Sequence, residues 1–332
     1  MNKLLLTSVL EKPIVVFGAG SIGERHIGVL QKIGFKKIYV YRTRKLPLRV
    51  IDENSVTVFT DLNQIEDISP FAAVICTPTS LHLEQALFCA SKGIHILVEK
   101  PLSHSIANIE ALAQEVEKTH VVVQIAYMLR YHPAMKMIKE IVLTEKYGRV
   151  LSFHTHWGEF LPDWHPWEDY RASYAARKEL GGGAALTLSH DLDIVNWWLD
   201  ETPDSFFKLL NTRSALEVNV ESGADFLLGY PSGVTGHVHL NFFQKVPRRS
   251  YQLVMENGLV EYDYFENRLL VQSAGEKEEV FFSSFDRNDM FIDQALHFFE
   301  SITTFTDQQK VDYSLSQIKS AATIVDMTDF SK

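Results

Sequence analysis

Short apolar runs alternate with amphipathic segments over the first part of the chain. Ile14–Phe17 and Ile38–Tyr41 carry no charged residue, which is typical of parallel strands buried on both faces. Similar runs lie at residues 73–76, 94–98 and 121–126. Segments with helical spacing separate them at residues 22–33, 81–91 and 105–117. The alternation predicts an α/β fold, a doubly wound parallel sheet of the Rossmann type over residues 1–127.

The pattern changes in residues 128–332. A helix near 133–145 precedes a strand near 150–157, a loop rich in Trp, Pro and Gly, and a helix over 184–199. Alternating apolar and polar residues then predict strands at 206–210, 223–230, 234–243, 251–256, 259–264 and 268–272. Closing helices fit 289–301 and 315–327. We expect an α+β domain with a mostly antiparallel sheet for substrate binding and oligomerisation, whose closing helix can pack back on the first domain.

A glycine-rich turn follows the first strand. Gly18, Gly20 and Gly23 have the spacing G-x-G-x-x-G, in which the glycines permit a tight turn, close approach of a pyrophosphate, and close packing of helix on strand. Ser21 and Ile22 open the helix, whose unpaired N–H groups attract phosphate. The turn predicts dinucleotide binding. The alternative is a strand–turn–helix that needs glycine only for its own geometry.

The end of the second strand bears on the choice of dinucleotide. NAD sites usually place Asp or Glu there for the ribose hydroxyls, but this strand ends in Arg42, Thr43 and Arg44. An arginine fork matches a 2′-phosphate, which a carboxylate would repel. The sequence favours NADP(H) as cofactor and leaves NAD(H) possible, since Arg42 or Arg44 could instead stack on adenine or face solvent.

Composition excludes several classes of partner. The 32 basic and 42 acidic residues give a net charge of −10, which argues against a nucleic-acid partner. Cys76 and Cys89 lie in apolar segments and are interpreted as buried thiols of a reducing compartment. The apolar residues 4–10 are too few to span a membrane. We therefore expect a cytoplasmic protein without a membrane partner.

Two short motifs follow later strands of the first domain. Thr77 and Pro78 come after the strand at 73–76, where a nicotinamide would lie across the carboxyl ends of the sheet. Lys100 follows the strand at 94–98 and would reach the same cleft, where it could donate or accept a proton. Alone, Lys100 would be interpreted as an ordinary surface lysine in a turn.

These residues belong to a longer series of spaced motifs. The series comprises Thr77-Pro78-Thr79-Ser80-Leu81-His82, Glu84-Gln85-Ala86-Leu87, Gly93-Ile94-His95, Glu99-Lys100-Pro101, Arg130-Tyr131-His132-Pro133, Gly181-Gly182-Gly183 and His190-Asp191-Leu192-Asp193. Together with the glycine turn it resembles the glucose–fructose oxidoreductase / inositol dehydrogenase / MocA family over nearly the whole chain. Within that family, residues 163–171 and the run Ser189-His190-Asp191-Leu192-Asp193 resemble members encoded with cell-surface sugar biosynthesis. The resemblance implies an NAD(P)-dependent oxidoreductase acting on a secondary alcohol or ketone of a sugar, sugar acid or nucleotide sugar.

The resemblance also implies roles for residues of the first domain. Thr77, Pro78 and His82 would line the nicotinamide part of the site, and Glu99 would contact the ribose. Lys100 would be the catalytic lysine, joined to Pro101 by a cis peptide bond.

In the second domain, the resemblance implies that His190 is the second acid–base residue and that Arg130 and Asp191 contact substrate. Helical spacing places His190 with Thr187 on a face away from the apolar stripe of 184–199, although a buried or capping histidine would give the same pattern. The outer face of the predicted sheet resembles the dimerisation surface of the family, which implies a homo-dimer or tetramer.

Two departures from the family pattern keep a second function open. Relatives usually carry Asp at the position of Thr187 and often Asn at that of Met128. A carboxylate one helical turn before His190 would orient the imidazole, whereas threonine brings no charge. The alternative is a sensor of the same family that binds dinucleotide or sugar without turnover.

The loop before the glycine triplet carries candidate sugar contacts. Trp164 and Trp167 present aromatic faces that pack on the apolar faces of sugar rings, and Arg171 could bind hydroxyls or phosphate. A hydrophobic lid or a subunit contact would use the same residues.

Two histidine pairs, His154 with His156 and His237 with His239, each place two imidazoles on one strand face. Because no acidic or cysteine ligand accompanies them at a telling spacing, we expect no metal site and interpret them as hydrated residues of the sheet face or of a subunit interface.

Overall fold

The structure, a computed structural model, describes residues 8–43 and 47–329 of the 332. The chain divides into two compact units. The first holds the residues up to Met128 together with Asp286–Ala322, and the second holds Leu129–Phe285 with the residues from Thr323 onward. The segment from Asp286, which the sequence assigns to the second domain, thus belongs to the first unit. There Phe291 packs edge-on against His26 with 5.6 Å between ring centroids.

The first unit is built on a parallel sheet. Its described strands are β1 (Ile14–Phe17), β2 (Ile38–Tyr41), β3 (Thr57–Phe59), β4 (Ala72–Ile75), β5 (His95–Val98) and β6 (Val123–Ile125), in the order β3-β2-β1-β4-β5-β6. The helices of this unit are Ser21–Ile33, Ile65–Ile68, Thr79–Ser91, Ile109–Thr119, Arg287–Thr304 and the first part of Asp307–Thr328. Every residue of β1 and β4 is buried, as expected for central parallel strands.

The strand order places the predicted functional motifs at one edge of this sheet. Connections leave β1 towards β2 on one side, and the chain returns to β4 on the other, which makes β1/β4 the topological switch point. Gly18 directly follows β1, and Glu99 directly follows β5. Thr77 lies two residues after the end of β4. Ligands of open α/β sheets bind at such a switch point.

The second unit contains a mixed sheet. Its described strands are β7 (Val150–Phe160), β8 (Ser205–Asn211), β9 (Gly223–Gly229), β10 (Thr235–Asn241), β11 (Phe243–Met255), β12 (Gly258–Asp263), β13 (Arg268–Ser273) and β14 (Glu276–Phe281), in the order β14-β13-β12-β11-β7-β10-β9-β8. All neighbouring pairs are antiparallel except β7 with β10. The helices Pro133–Leu143, Ala184–Thr187 and His190–Leu199 accompany this sheet.

The fold class predicted from the sequence is confirmed, with local differences that include β3, a strand the sequence did not predict. The predicted helix over 184–199 is two helices, Ala184–Thr187 and His190–Leu199, with a turn between them. Strand β11 begins at Phe243 rather than near residue 251. Strand β14 was not predicted because its sequence Glu-Lys-Glu-Glu-Val-Phe is mostly charged, and its side chains are largely exposed at the sheet edge.

Candidate functional site

The glycine turn has the backbone that its spacing predicts. Gly18 lies in the left-handed region with φ of +86°, and a Cβ there would stand 3.0 Å from the carbonyl oxygen of Cys76. A Cβ on Gly23 would come within 2.2 Å of the carbonyl oxygen of Gly18, so helix and strand pack too closely for any side chain. A Cβ on Gly20 would meet nothing within 4 Å. Gly20 is therefore not required by the fold, and the space beside it fits a bound pyrophosphate.

The helix that follows holds the next loop through a buried carboxylate. Ser21 and Ile22 open the helix at the surface, while Glu24 lies one turn further in and is 4% exposed. The Glu24 carboxylate accepts hydrogen bonds from the backbone N–H groups of Arg49, Val50 and Ile51 at 2.7–3.2 Å. This anchor joins the glycine helix to the segment that returns from β2.

Arg42 lies at the end of β2 and already has an acidic neighbour. Its guanidinium contacts Glu53 Oε1 at 3.0 Å, with 15% of the Arg42 side chain and 50% of the Glu53 side chain exposed. The N–H of Leu48 also donates to Glu53, and these contacts lower the pKa of that carboxyl below its ordinary value. Thr43 is exposed, and Arg44 lies outside the described residues.

His82 is a buried structural contact as well as a candidate cofactor residue. It is 2% exposed, and its ring nitrogens lie 2.8 Å from the carbonyl oxygen of Pro101 and 2.7 Å from that of Thr77. A neutral imidazole has one N–H and donates to one carbonyl at a time. Burial lowers the pKa of His82 despite the two carbonyls. The ring thus joins the Thr77-Pro78 turn to the segment containing Lys100, and Thr77 Oγ1 donates in turn to Gln85.

Glu99 forms a pair that the sequence analysis did not anticipate. Its Oε1 accepts a hydrogen bond from His26 Nε2 at 2.8 Å, and both residues are buried. Burial acts to raise the pKa of Glu99, but the hydrogen bond from His26 and the charge of Lys100 outweigh it and keep the pKa below its ordinary value. Lys100 follows directly, is partly exposed, and is joined to Pro101 by a cis peptide bond, as predicted.

In the second unit, His190 begins a helix rather than occupying the middle of one. It is 3% exposed, and Thr187, also buried, ends the preceding short helix. The ring of Trp157 lies 6.1 Å from the imidazole between centroids. The turn at Leu188 and Ser189 separates the two residues that a continuous helix would have placed one turn apart.

Asp191 is the centre of a buried polar network. Its Oδ1 accepts hydrogen bonds from Arg249 at 2.5 Å and from the Tyr251 hydroxyl at 2.8 Å. The Arg249 guanidinium stacks on the ring of Trp157 at 3.6 Å. Burial raises the pKa of Asp191, and its other oxygen, like Oγ of Ser189, has no hydrogen-bond partner among the described residues. Such atoms fit the hydroxyl groups of a polar ligand.

Arg130 forms an ion pair with a residue of the helix His190–Leu199. Its Nε and terminal nitrogen donate to the two oxygens of Asp193 at 2.9 and 2.5 Å. Asp193 is fully buried, which raises its pKa against the opposing effect of the arginine. A two-point ion pair of this kind orients Arg130 and the start of the His190 helix together.

The tryptophan loop divides into a partly buried and an exposed part. Trp164 packs edge-on against Phe242 at 5.4 Å, and its buried Nε1 has no hydrogen-bond partner among the described residues. Trp167 is 63% exposed and lies beside His165. Arg171 is at the surface, where it bonds Asp169 and Glu217.

Glu221 is a further carboxyl, partly buried, near the glycine triplet. It accepts a hydrogen bond from the N–H of Ala185 at 3.1 Å, and a Cβ on Gly183 would lie 2.2 Å from its Oε1. Burial raises the pKa of Glu221 to about 7. The glycine at 183 therefore makes room for this carboxyl.

One signal in the sequence could have revealed part of the second network. Arg249 and Tyr251 share the period-two face of β11 with the buried Leu253 and Met255. A charged residue on such a face is informative, because a buried arginine needs a partner.

Family models match both units of the chain. The model described as the oxidoreductase family with an NAD-binding Rossmann fold matches residues 12–127, and the GFO/IDH/MocA C-terminal domain matches residues 135–261. Together the two matches cover most of the sequence and confirm the resemblance inferred from the motifs.

Curated relatives are similar over part of their length. A levoglucosan dehydrogenase of Pseudarthrobacter phenanthrenivorans is 30% identical over 151 residues, 45% of this chain and 37% of that protein. A myo-inositol 2-dehydrogenase of Thermotoga maritima is 27% identical over 199 residues, 58% of this chain and 57% of that protein. The chain thus spans between about two fifths and three fifths of the length of these relatives.

Solved structures share the fold over almost the whole chain. Levoglucosan dehydrogenase in complex with NADH superposes with a TM-score of 0.77 at 17% identity, covering 94% of this chain and 97% of the other. An aldose–aldose oxidoreductase of Caulobacter crescentus gives a TM-score of 0.73 at 19% identity, covering 94% of this chain and 97% of the other.

None of the described helices combines the length and apolar character needed to cross a membrane.

Proposed function

Because the chain belongs to the GFO/IDH/MocA oxidoreductase family, we propose that it transfers a hydride between a nicotinamide dinucleotide and a secondary alcohol or ketone of a sugar, sugar acid or nucleotide sugar. One observation carries the proposal furthest. The glycine turn after β1 and Lys100 after β5 lie at the carboxyl ends of strands in one parallel sheet, at its switch point.

The residues of the first unit fit a bound dinucleotide. The open space beside Gly20 and the exposed start of the Ser21–Ile33 helix would hold the pyrophosphate. Thr77, Pro78 and Glu99 would contact the nicotinamide riboside. When bound, the nicotinamide supplies or accepts the hydride.

Lys100 and His190 divide the proton chemistry in this proposal. Lys100 takes the hydroxyl proton of the substrate in the oxidative direction and returns it in the reductive direction. The His26–Glu99 and His82–Pro101 contacts flank Lys100 in the chain and hold its backbone. His190 serves as the second acid–base group.

The second unit offers polar atoms for a sugar. Asp191 and Ser189 carry buried oxygen atoms without hydrogen-bond partners among the described residues, and Trp164 carries such a nitrogen. Arg130, Thr187, Trp167 and Arg171 are further proposed contacts. Within the proposed class of sugars, sugar acids and nucleotide sugars, the resemblance of residues 163–171 and 189–193 to proteins of cell-surface sugar biosynthesis favours a nucleotide-linked sugar.

The preferred cofactor in this proposal is NADP(H). Arg42 follows β2 directly, and a 2′-phosphate would replace or share its contact with Glu53. The cytoplasm is the proposed compartment, in keeping with the buried thiols of Cys76 and Cys89.

We also propose a homo-dimer or tetramer, for which light scattering of the purified chain is the test.

The experiment has two steps performed on the same sample. NADPH and NADH are titrated separately, with the fluorescence of the bound nicotinamide as readout. A panel of keto sugars, free and nucleotide-linked, is then added, and oxidation of the cofactor is followed by absorbance. We expect tight NADPH binding and turnover of at least one panel member.

The Lys100→Met variant is the matched control, since methionine keeps much of the side-chain length without the amine. It should bind the cofactor like the wild type and lose turnover by about 100-fold or more. Normal rates in this variant would contradict the role of Lys100. Tight binding by the wild type with no turnover on any sugar would favour the sensor instead.

A further inference from the structure

Three adjacent strands of the second sheet bring polar side chains together on its outer face. The register opposes His239 of β10 to Asp225 of β9, and His237 of β10 to His154 of β7. Val238 and Leu240, which alternate with the two histidines of β10, are fully buried. His237 and His239 therefore project from the opposite side of the sheet, towards solvent.

Asp225 lies between the two imidazoles. Its Oδ1 is 2.9 Å from Nε2 of His237 and 2.7 Å from Nδ1 of His239. The candidate ligand atoms of the three residues all lie within 4.8 Å of one another. In the single chain their side chains are 37%, 34% and 24% exposed, respectively, so an ion from solvent can reach them there.

We propose that Asp225, His237 and His239 form a binding site for a divalent transition-metal ion of the zinc type. Two imidazole nitrogens and one carboxylate oxygen are a common ligand set for such ions, and solvent would complete the coordination. Ligand bonds of about 2.0–2.2 Å in a tetrahedron separate the ligand atoms by about 3.4 Å. The present contacts would widen by roughly half an ångström as the ion replaces the two imidazole protons.

The neighbouring side chains suit this role. If His237 binds the ion through Nε2, its Nδ1–H can donate to Nδ1 of His154, which lies 3.1 Å away. Nδ2 of Asn241 lies 3.0 Å from Nε2 of His239. A half-turn of the amide would present its oxygen to that N–H, in exchange for the contact of Oδ1 with the N–H of Phe243. Metal-bound histidines commonly donate their second N–H to such a partner, which fixes the ring orientation.

The strand pairing changes the expectation that the histidine pairs bind no metal. The histidine pairs were predicted to bind no metal because no acidic residue accompanies them at a telling spacing. Asp225 is 12 residues from His237 and 14 from His239 along the chain, but strand pairing places it directly beside them. The inference is independent of the nicotinamide chemistry, which uses other residues.

Zinc binding by the whole chain, freed of any polyhistidine tag, tests the inference. The protein is equilibrated with Zn²⁺, and bound zinc is measured by atomic absorption and by competition with a chromophoric chelator. We expect about one ion per chain with micromolar or tighter affinity. Substitution of Co²⁺ should give visible absorption bands, whose energy and intensity report the coordination number.

Variants separate this site from incidental binding. Asp225→Asn is nearly isosteric and should weaken zinc binding by at least about tenfold, as should His239→Ala, while His154→Ala should weaken it less. His104→Ala, which changes an exposed histidine of the first unit, is the control and should bind like the wild type. Far-UV circular dichroism and NADPH binding verify that each variant is folded.

Two results would overturn the inference. One is the absence of zinc binding by the wild type at zinc concentrations of about 100 micromolar, roughly a hundredfold above a micromolar dissociation constant. The other is unchanged affinity in the Asp225→Asn and His239→Ala variants, which would assign the zinc to other groups.

Discussion

His26 and Glu99 form a buried hydrogen-bonded pair, with 2.8 Å between Nε2 and Oε1. His26 belongs to the helix that follows the glycine turn, and Glu99 immediately precedes Lys100. The pair therefore joins the two motifs on which the proposed chemistry depends. The edge-on contact of Phe291 with the imidazole completes the packing on one side.

His26 is not among the proposed contacts of the cofactor or the substrate. Replacing it with Phe should nevertheless impair turnover. The ring volume is kept, but Glu99 loses its donor while remaining buried, which costs about 1–3 kcal/mol of stability. We expect kcat to fall by roughly tenfold because the Glu99–Lys100 segment loses its anchor. Steady-state kinetics and urea unfolding measure the two effects.

His26→Gln is the matched control, because its amide can still donate to the carboxylate. It should recover much of the lost kcat. Equal kinetics in the Phe and Gln variants would show that the hydrogen bond does not position Lys100.

Two glycines of the turn should respond in opposite ways to substitution by alanine. Gly23→Ala places a Cβ 2.2 Å from a backbone oxygen and should destabilise the chain by about 1–3 kcal/mol or more. Gly20→Ala meets no protein atom within 4 Å and should leave stability nearly unchanged. It should weaken NADPH binding by about tenfold or more, because the methyl group enters the space assigned to the pyrophosphate.

Thermal unfolding and nicotinamide fluorescence distinguish the two variants. If Gly20→Ala bound NADPH like the wild type, the assignment of that space to the pyrophosphate would be wrong.

The Arg42–Glu53 pair provides a test of cofactor preference. Arg42→Gln should weaken NADPH binding by at least about tenfold and change NADH binding little, because only NADPH carries the 2′-phosphate. Glu53→Gln removes a carboxylate that would repel the phosphate and should strengthen NADPH binding several-fold. Competitive titrations measure both. A parallel loss of NADH and NADPH affinity in Arg42→Gln would instead indicate stacking on adenine.

The lowered pKa of His132 predicts that the stability of the chain depends on pH. His132 caps the helix Pro133–Leu143 by accepting the N–H of Ala134 at Nδ1, and burial, together with the charge of Arg249, lowers its pKa to about 4. In the unfolded chain the pKa returns to about 6.5, so the unfolded state binds a proton that the folded state does not. The free energy of unfolding should therefore fall as the pH falls from about 6.5 to 4, by at most about 1.4 kcal/mol per pH unit for this group.

His132→Asn keeps a capping acceptor that does not titrate in this range. Its stability should depend less steeply on pH over the same window in urea unfolding. The remaining slope would include His95, whose pKa burial also lowers to about 4. An unchanged slope in His132→Asn would contradict the assignment.

Most of the parallel sheet could be predicted because its signals are local. Ile14–Phe17 and Ile38–Tyr41 are short apolar runs whose burial follows from their own residues. The glycine turn could likewise be predicted from the sequence, since positive φ at Gly18 and close packing at Gly23 are requirements that only glycine meets. Motif resemblance, rather than periodicity, pointed to Lys100 and His190.

Periodicity failed where tertiary contacts override it. The helical spacing of residues 184–199 extends through the turn at Leu188 and Ser189, but the structure breaks the helix there. Next to that break, Glu221 occupies the position that a side chain on Gly183 would need and bonds the N–H of Ala185. That contact comes from a residue more than thirty positions away, and no local pattern encodes it.

The sequence by itself determined the class of fold, the dinucleotide turn and the family, because each follows from short motifs and apolar runs whose own residues carry the signal. Only the tertiary structure decided which charged groups meet: His26 with Glu99, Arg249 with Asp191, and Asp225 with His237 and His239. These partners are brought together by strand register and helix packing. Electrostatic pairing acts over a few ångströms of space, whatever the separation along the chain.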